Sequence, residues 1–201
     1  MSITMKILIA VFILAFSPCL AFAQTTESIV HDIRHKYNQI QTQLPKYQTK
    51  QIPIFNESTE GGEARAFFDD QQDIKCIEII WLGESGKKIM TYYFDKTQLF
   101  FAYEQRIIYN RPIYWNIELA KEIGDTEIFD PQKSTITIQR YYFENEKLVL
   151  WLDHANKSVN LDKLETKQQS QDILHHAAKM YRKFKLNINK VNHFSIKKPA
   201  L

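Results

Sequence analysis

Turn chemistry cuts the middle of this chain at short intervals, and that punctuation limits the fold more than any other feature. Asp69-Asp70 with Asp73, Gly83-Glu84-Ser85-Gly86 and Asp95-Lys96-Thr97 separate apolar and aromatic segments at about 63–69, 74–82, 87–95 and 98–109. A parallel crossover needs a dozen or more residues, and none of these connections is that long. The four segments are therefore expected to be strands of an antiparallel meander. A further hairpin is expected at about 135–143 and 147–153, which brings the sheet to about six strands.

The hairpins are related. Tyr92-Tyr93-Phe94-Asp95, three residues, then Leu99 matches Tyr141-Tyr142-Phe143-Glu144, three residues, then Leu148. Phe67-Phe68-Asp69, four residues, then Ile74 is a looser copy. The unit is an aromatic strand end, an acidic turn and an apolar strand start, with side chains that pair across the turn. Simple alternation along 98–109 puts Leu99, Phe101, Tyr103, Ile107 and Tyr109 on one face and Phe100, Ala102, Glu104, Arg106 and Ile108 on the other. A sheet that is apolar on both faces needs two covers.

Two helices are available. Over 26–44, Ile29, Ile33, Tyr37, Ile40 and Leu44 form one stripe, with Thr25 or Thr26 as cap and Pro45 as stop. Over 163–184, Ile173, Ala177, Tyr181 and Phe184 share a face. Between these elements lie a polar connector at 45–62 and an irregular stretch after 109 with a short helix from about 116 to Gly124. The expected fold is α+β: one domain over 24–184, an antiparallel sheet flanked by an N-terminal and a C-terminal helix. A basic tail follows at 185–201, where Phe184, Leu186 and Ile188 suggest a last edge strand.

The first 23 residues read as a signal peptide. Lys6 is their only charge, Ile7 to Phe16 is apolar, Pro18 ends any helix, and Ala21-Phe22-Ala23 offers a cleavage site before Gln24. That apolar run is shorter than the ~20 residues a membrane span needs, and no later stretch is longer. Cleavage removes Cys19 and leaves Cys76 alone, so no intramolecular disulfide is expected. Stability then has to come from packing. The net charge of +3 points to no polyanion. Its distribution is uneven: Lys179, Arg182, Lys183, Lys185, Lys190, Lys197 and Lys198 follow the last acidic residue, Asp172. They read as a solvated face and tail, with attraction to an anionic envelope surface as the alternative.

Few residues suggest chemistry. His31 and His35 stand at the i, i+4 spacing of a helical zinc site, with Asp32 where a metalloprotease has Glu. They lie on the polar side of the first helix, and a third ligand would have to come from His154, His175 or His176. Gly83-Glu84-Ser85-Gly86-Lys87 has neither P-loop nor nucleophile-elbow spacing and reads as a turn. Cys76 sits inside a strand as a small buried hydrophobe, and Asp153-His154 lacks a nucleophile. Tyr109, Arg111, Tyr114 and Trp115 combine aromatics with an arginine on a loop, which suits binding hot spots and sugar-stacking platforms. The alternative is that they plug the sheet's open end.

Glu60-Gly61-Gly62-Glu63, Gly83-Glu84-Ser85-Gly86-Lys87, Tyr92-Tyr93-Phe94, Leu99-Phe100-Phe101 and Tyr109-Asn110-Arg111-Pro112 occur in that order. Over residues 59–115 the chain resembles a group of small exported bacterial proteins of unknown function. Its hairpin repeat is similar to that of tandem-hairpin antitoxin-like proteins. The resemblance implies a fold and no catalytic residues. The expectation is an exported protein, periplasmic in a Gram-negative cell or else secreted. It would bind an envelope protein, glycan or lipid, but no nucleic acid, through an aromatic sheet face or the 109–115 loop, with no cofactor. An envelope hydrolase or metalloprotein using His31 and His35 is the alternative.

Overall fold

The structure is a computed structural model that describes residues 25–195, with side chains as far as Ile188. The expected signal peptide at 1–23 lies outside the described residues. Helix α1 (Thr26–Gln43) leads through a 3-10 turn, Leu44–Lys46, into seven strands. These are β1 (Gln48–Ile54), β2 (Gly62–Phe68), β3 (Ile74–Gly83), β4 (Gly86–Asp95), β5 (Gln98–Ile108), β6 (Thr135–Glu144) and β7 (Lys147–Leu152). A short helix α2 (Ile117–Glu122) lies between β5 and β6, and α3 (Leu164–Ser195) closes the chain. The sheet is one antiparallel meander in the order β1 to β7. Among the described residues, no helix is long and apolar enough to cross a membrane.

The α+β expectation holds, with one more strand than expected. Strand β1 falls in the stretch read as a polar connector. Gln48, Thr49 and Gln51 are exposed and Lys50 half-buried, so only Ile52 and the buried Ile54 at its end give an apolar signal, too short to mark a strand. An edge strand needs only backbone pairing, here from Gln48 opposite Phe68 to Ile54 opposite Gly62, and the edge tolerates Pro53.

The two long helices cover opposite faces. Val30, Ile33 and Ile40 of α1 pack with Cys76, Tyr93, Phe100, Phe101 and Tyr142. Ile173, Ala177, Met180, Tyr181, Phe184 and Ile188 of α3 pack with Ile77, Tyr92, Phe94, Tyr141 and Phe143. Adjacent aromatics on one strand thus serve two cores: Tyr92 and Phe94 face α3, while Tyr93 faces α1. Thr25 caps α1, its hydroxyl accepting from the Ser28 amide at 3.3 Å.

The repeat has a structural counterpart in three matching bulges. Phe67 pairs with Cys76 and Phe68 with Ile74, leaving Lys75 extra. Tyr93 pairs with Phe101 and Phe94 with Leu99, leaving Phe100 extra. Tyr142 pairs with Leu150 and Phe143 with Leu148, leaving Val149 extra. Each bulge falls one residue into the returning strand's apolar run and sets two residues against one.

This corrects the face assignment expected for β5. The bulge turns Phe100 to the α1 side beside Phe101, and Leu99 joins Ala102 on the α3 side. Strict alternation failed because it assumed an unbroken ladder.

The C-terminal boundary also moves. Residues 185–195 continue α3, so Phe184, Leu186 and Ile188 are helical and form no edge strand. Phe184 and Ile188, four residues apart, are buried, while Leu186 between them is 65% exposed. Lys185 anchors this turn by donating to the Gln72 carbonyl at 2.7 Å. The remainder of the basic tail, 196–201, lies outside the described residues.

Candidate functional site

The sheet has two unlike ends. At one end the repeat turns at 69–73, 95–97 and 144–146 carry the bulges, and both helices cross there. At the other end meet the loop 55–61, the Glu84-Ser85 turn and the long connection 109–134. The Glu60 amide donates to the Leu82 carbonyl, which ties the first of these to β3. Gly86 is required here by close approach rather than by backbone angle. A Cβ on it would collide with the Ile107 carbonyl oxygen of β5.

The 109–134 connection is stitched to this end. Tyr109 donates its amide to the Ser85 carbonyl and Ile113 to that of Glu84, both at 2.9 Å. Asn110 donates to the Ile128 carbonyl (2.9 Å) and to Glu127 Oε1 (3.1 Å), and accepts from the Asp130 amide (2.9 Å). Arg111 Nη2 lies 2.6 Å from Asp125 Oδ2 and 3.5 Å from Glu127 Oε2. The Glu127 amide, with that of Thr126 and the Arg111 guanidinium, holds the Asp125 carboxyl below the usual carboxylate range. Asn110, then Lys133 and Arg111, do the same for Glu127.

Of the four residues expected to bind, two are therefore committed to the loop itself. Arg111 clamps two carboxylates, and Tyr109 packs edge-on against Phe129 at 5.2 Å. Trp115 is half-buried with its indole N–H unpartnered, and Tyr114 is 53% exposed. Around them exposed hydrophobic side chains alternate with exposed Glu118, Lys121 and Glu122. Leu82, Ile108, Ile113, Ile117, Ile123, Ile128 and Ile136 are exposed at this end, and Phe55 is 72% exposed in the neighbouring loop. Among the described residues, the other exposed large hydrophobics are Leu164 and Leu186 on α3. Sequence reading missed this gathering because its members come from four separate connections and strand ends.

His31 and His35 are exposed on α1, with His31 Nδ1 3.6 Å from its neighbour Asp32. The sheet separates them from His175 and His176 on α3. Among the described residues, no three His, Cys, Asp or Glu side chains group to hold a metal ion. Asp153 accepts from the amides of Ala155 and Lys157 and so shapes a turn. Cys76 is buried, and burial pushes its thiol up, which keeps it protonated.

A hydroxyl–imidazole–carboxylate sequence does occur on the α3 side. The Tyr92 hydroxyl lies 2.8 Å from His176 Nδ1, and His176 Nε2 lies 4.0 Å from Glu57. Glu57 also accepts from the Trp81 indole at 3.0 Å and lies 3.7 Å from Lys179. Tyr92 is 2% exposed, and burial first, then Glu104, raises its pKa. A substrate has no access to that oxygen. The chain of contacts instead fastens α3 and the 55–61 loop to β3 and β4.

On the α1 side a cleft of about 340 Å³ is walled by Tyr37, Phe101, Tyr103 and Tyr142. Arg34 stands over the Tyr142 ring at 5.9 Å and Arg140 over Tyr103 at 5.7 Å. Arg140 also donates to Asn156 Oδ1 at 2.9 Å. Comparison with protein-family models, curated proteins and solved structures finds no match.

Proposed function

We propose that this is an exported, non-enzymatic interaction protein whose docking surface is the apolar end of the sheet. The observation that carries this reading is the concentration of exposed aliphatic and aromatic side chains between Leu82 and Ile136. Most of the exposed large hydrophobics of the described residues fall at this one end, which suits a contact surface. The clamp around Arg111 and Asn110 fixes the backbone that presents Tyr114, Ile117 and Ile123, which lowers the entropy lost on binding. Tyr114 supplies the amphipathic ring such contacts favour. The partner is an envelope protein with a complementary apolar surface. Lys6, the apolar run Ile7–Phe16 and Ala21-Phe22-Ala23 support export.

The test is photo-crosslinking of the full chain in a Gram-negative host, with the probe placed at Tyr114, Ile123 or, as a control, Gln168 on α3. A discrete adduct with an envelope protein is expected from the first two positions and not from the third. Equal labelling from all three positions, or an N terminus still intact in the envelope fraction, would count against the proposal.

A further inference from the structure

Helix α3 covers only part of its face of the sheet, and the part it leaves open is polar. Strand register places Met90, Glu104 and Gln139 on one rung, and Trp81, Lys88, Arg106 and Thr137 on the next. The rung closer to the core runs Tyr92, Ala102, Tyr141, Trp151. A groove of about 290 Å³ lies over these rungs, with Gln169 of α3 as part of its wall. We propose that this groove binds a neutral, polyhydroxylated ligand with the chemistry of a saccharide. The proposal is independent of the apolar docking end.

The charges argue for a neutral ligand. Glu104 is 5% exposed, a costly position for a carboxylate unless it is paired. Lys88 Nζ lies 3.3 Å from its Oε2, and Arg106 Nη2 lies 3.3 Å from its Oε1. Both cations are paired with this buried carboxylate, so an incoming anion has to compete with Glu104 for them, and an incoming cation finds the carboxylate already neutralised. Hydroxyl groups, which donate and accept, can bond to the Gln139 amide and the Thr137 hydroxyl and leave these ion pairs in place.

The aromatic groups argue for a ring. Trp151 donates its indole N–H to Gln139 Oε1 at 2.6 Å and packs on Tyr141 at 4.8 Å. That bond fixes the indole and leaves the Gln139 amide N–H groups as donors. Trp81 stands outside the groove, held by Glu57 at 3.0 Å and covered by Lys88 at 5.4 Å, so Trp151 is the groove's indole. A fixed aromatic pair beside amide, hydroxyl and charged groups suits a sugar ring, which stacks through its C–H face and hydrogen-bonds through its hydroxyls. The volume is at the small end for ligand clefts, enough for one or two rings.

The test titrates the full chain with chitotriose, cellotriose and maltotriose, and with a sulfated trisaccharide as the anionic arm. Saturation-transfer NMR and tryptophan fluorescence read the binding. At least one neutral trisaccharide is expected to bind saturably in the millimolar range or tighter, with little dependence on salt. Gln139→Ala and Arg106→Ala should each weaken it tenfold or more. Glu104 keeps its Lys88 partner in the Arg106 variant, and circular dichroism with the unfolding midpoint checks that each variant is folded. Arg34→Ala, in the opposite cleft, should bind as the parent does. Failure of all three neutral probes, binding that survives both groove variants, or salt-sensitive preference for the sulfated probe would each overturn the proposal.

Discussion

The Tyr92 hydroxyl lies 2.8 Å from Nδ1 of His176, and this contact joins the middle of the sheet to the middle of α3. Burial lowers the His176 pKa, and Lys179 and Lys88 lower it further against an opposing pull from Glu57. Above about pH 6.5 the imidazole is neutral in both folded and unfolded chains. As pH falls below that value the unfolded chain takes up the proton first, so stability declines until the lowered folded pKa is reached. Urea midpoints measured against pH should show this decline. In His176→Gln the decline should be absent, with a lower plateau above neutrality.

Asp69 and Asp95 act in a lower window. Burial raises the Asp69 pKa, but Lys75 and the amides of Asp73 and Gln71 outweigh it and the net shift is downward. Asp95 is lowered chiefly by Lys36, at 2.7 Å. Their stabilisation is present above the ordinary carboxylate pKa of about 3.9 and is lost as pH falls through the lowered folded values. A second acid step is expected, with Lys36→Ala reducing its size.

The end of α3 can be tested with two substitutions. Ile188→Ala removes a buried side chain and should cost about 2–4 kcal/mol. Leu186→Ala, on the exposed side of the same turn, should stay within about 0.5 kcal/mol. An edge strand would put both residues on one face and make the two costs alike. Thermal or urea unfolding distinguishes these outcomes.

Legibility in the sequence followed the range of the interactions. The hairpins from 62 to 152 could be read because turn residues and aromatic strand ends are local signals, as at Asp95-Lys96-Thr97. Strand β1 could not, because its strand character comes from pairing with β2 and its first four side chains are polar. The bulge at Phe100 leaves no mark in the local pattern, yet it decides which core that ring enters. At the loop, the residue types of a hot spot were visible. Their use was not, since Arg111 pairs with Asp125 and Glu127 further along the connection. The groove around Glu104 depends on register across β4, β5 and β6, which no single segment reports.

Gly86 offers a test of backbone approach. Alanine would place its Cβ against the Ile107 carbonyl and force β4 and β5 apart at that rung. The expected cost is about 1–3 kcal/mol, against the gain of a few tenths that Gly→Ala gives where it fits. Ser85→Ala in the same turn has no such contact and should be close to neutral. Equal midpoints for the two variants would refute the steric account.

Arg111 links the fold to the proposed docking surface. Arg111→Ala would leave Asp125 and Glu127 without their shared cation and release the 109–134 connection from its clamp. The pair is partly exposed and screened by solvent, so global stability should change little. The local effect should be larger. Amide exchange across 110–130 is expected to quicken while the amides of β4 and β5 keep their protection. Lowering the pH should loosen the same segment in the parent chain, since both carboxyls are held below their ordinary range and lose their charge as pH falls through those lowered values. Crosslinking from Tyr114 should weaken in Arg111→Ala although Tyr114 itself is unchanged. If exchange in 110–130 stays at the parent rate, the clamp does not order the docking surface, and the preorganisation argument fails.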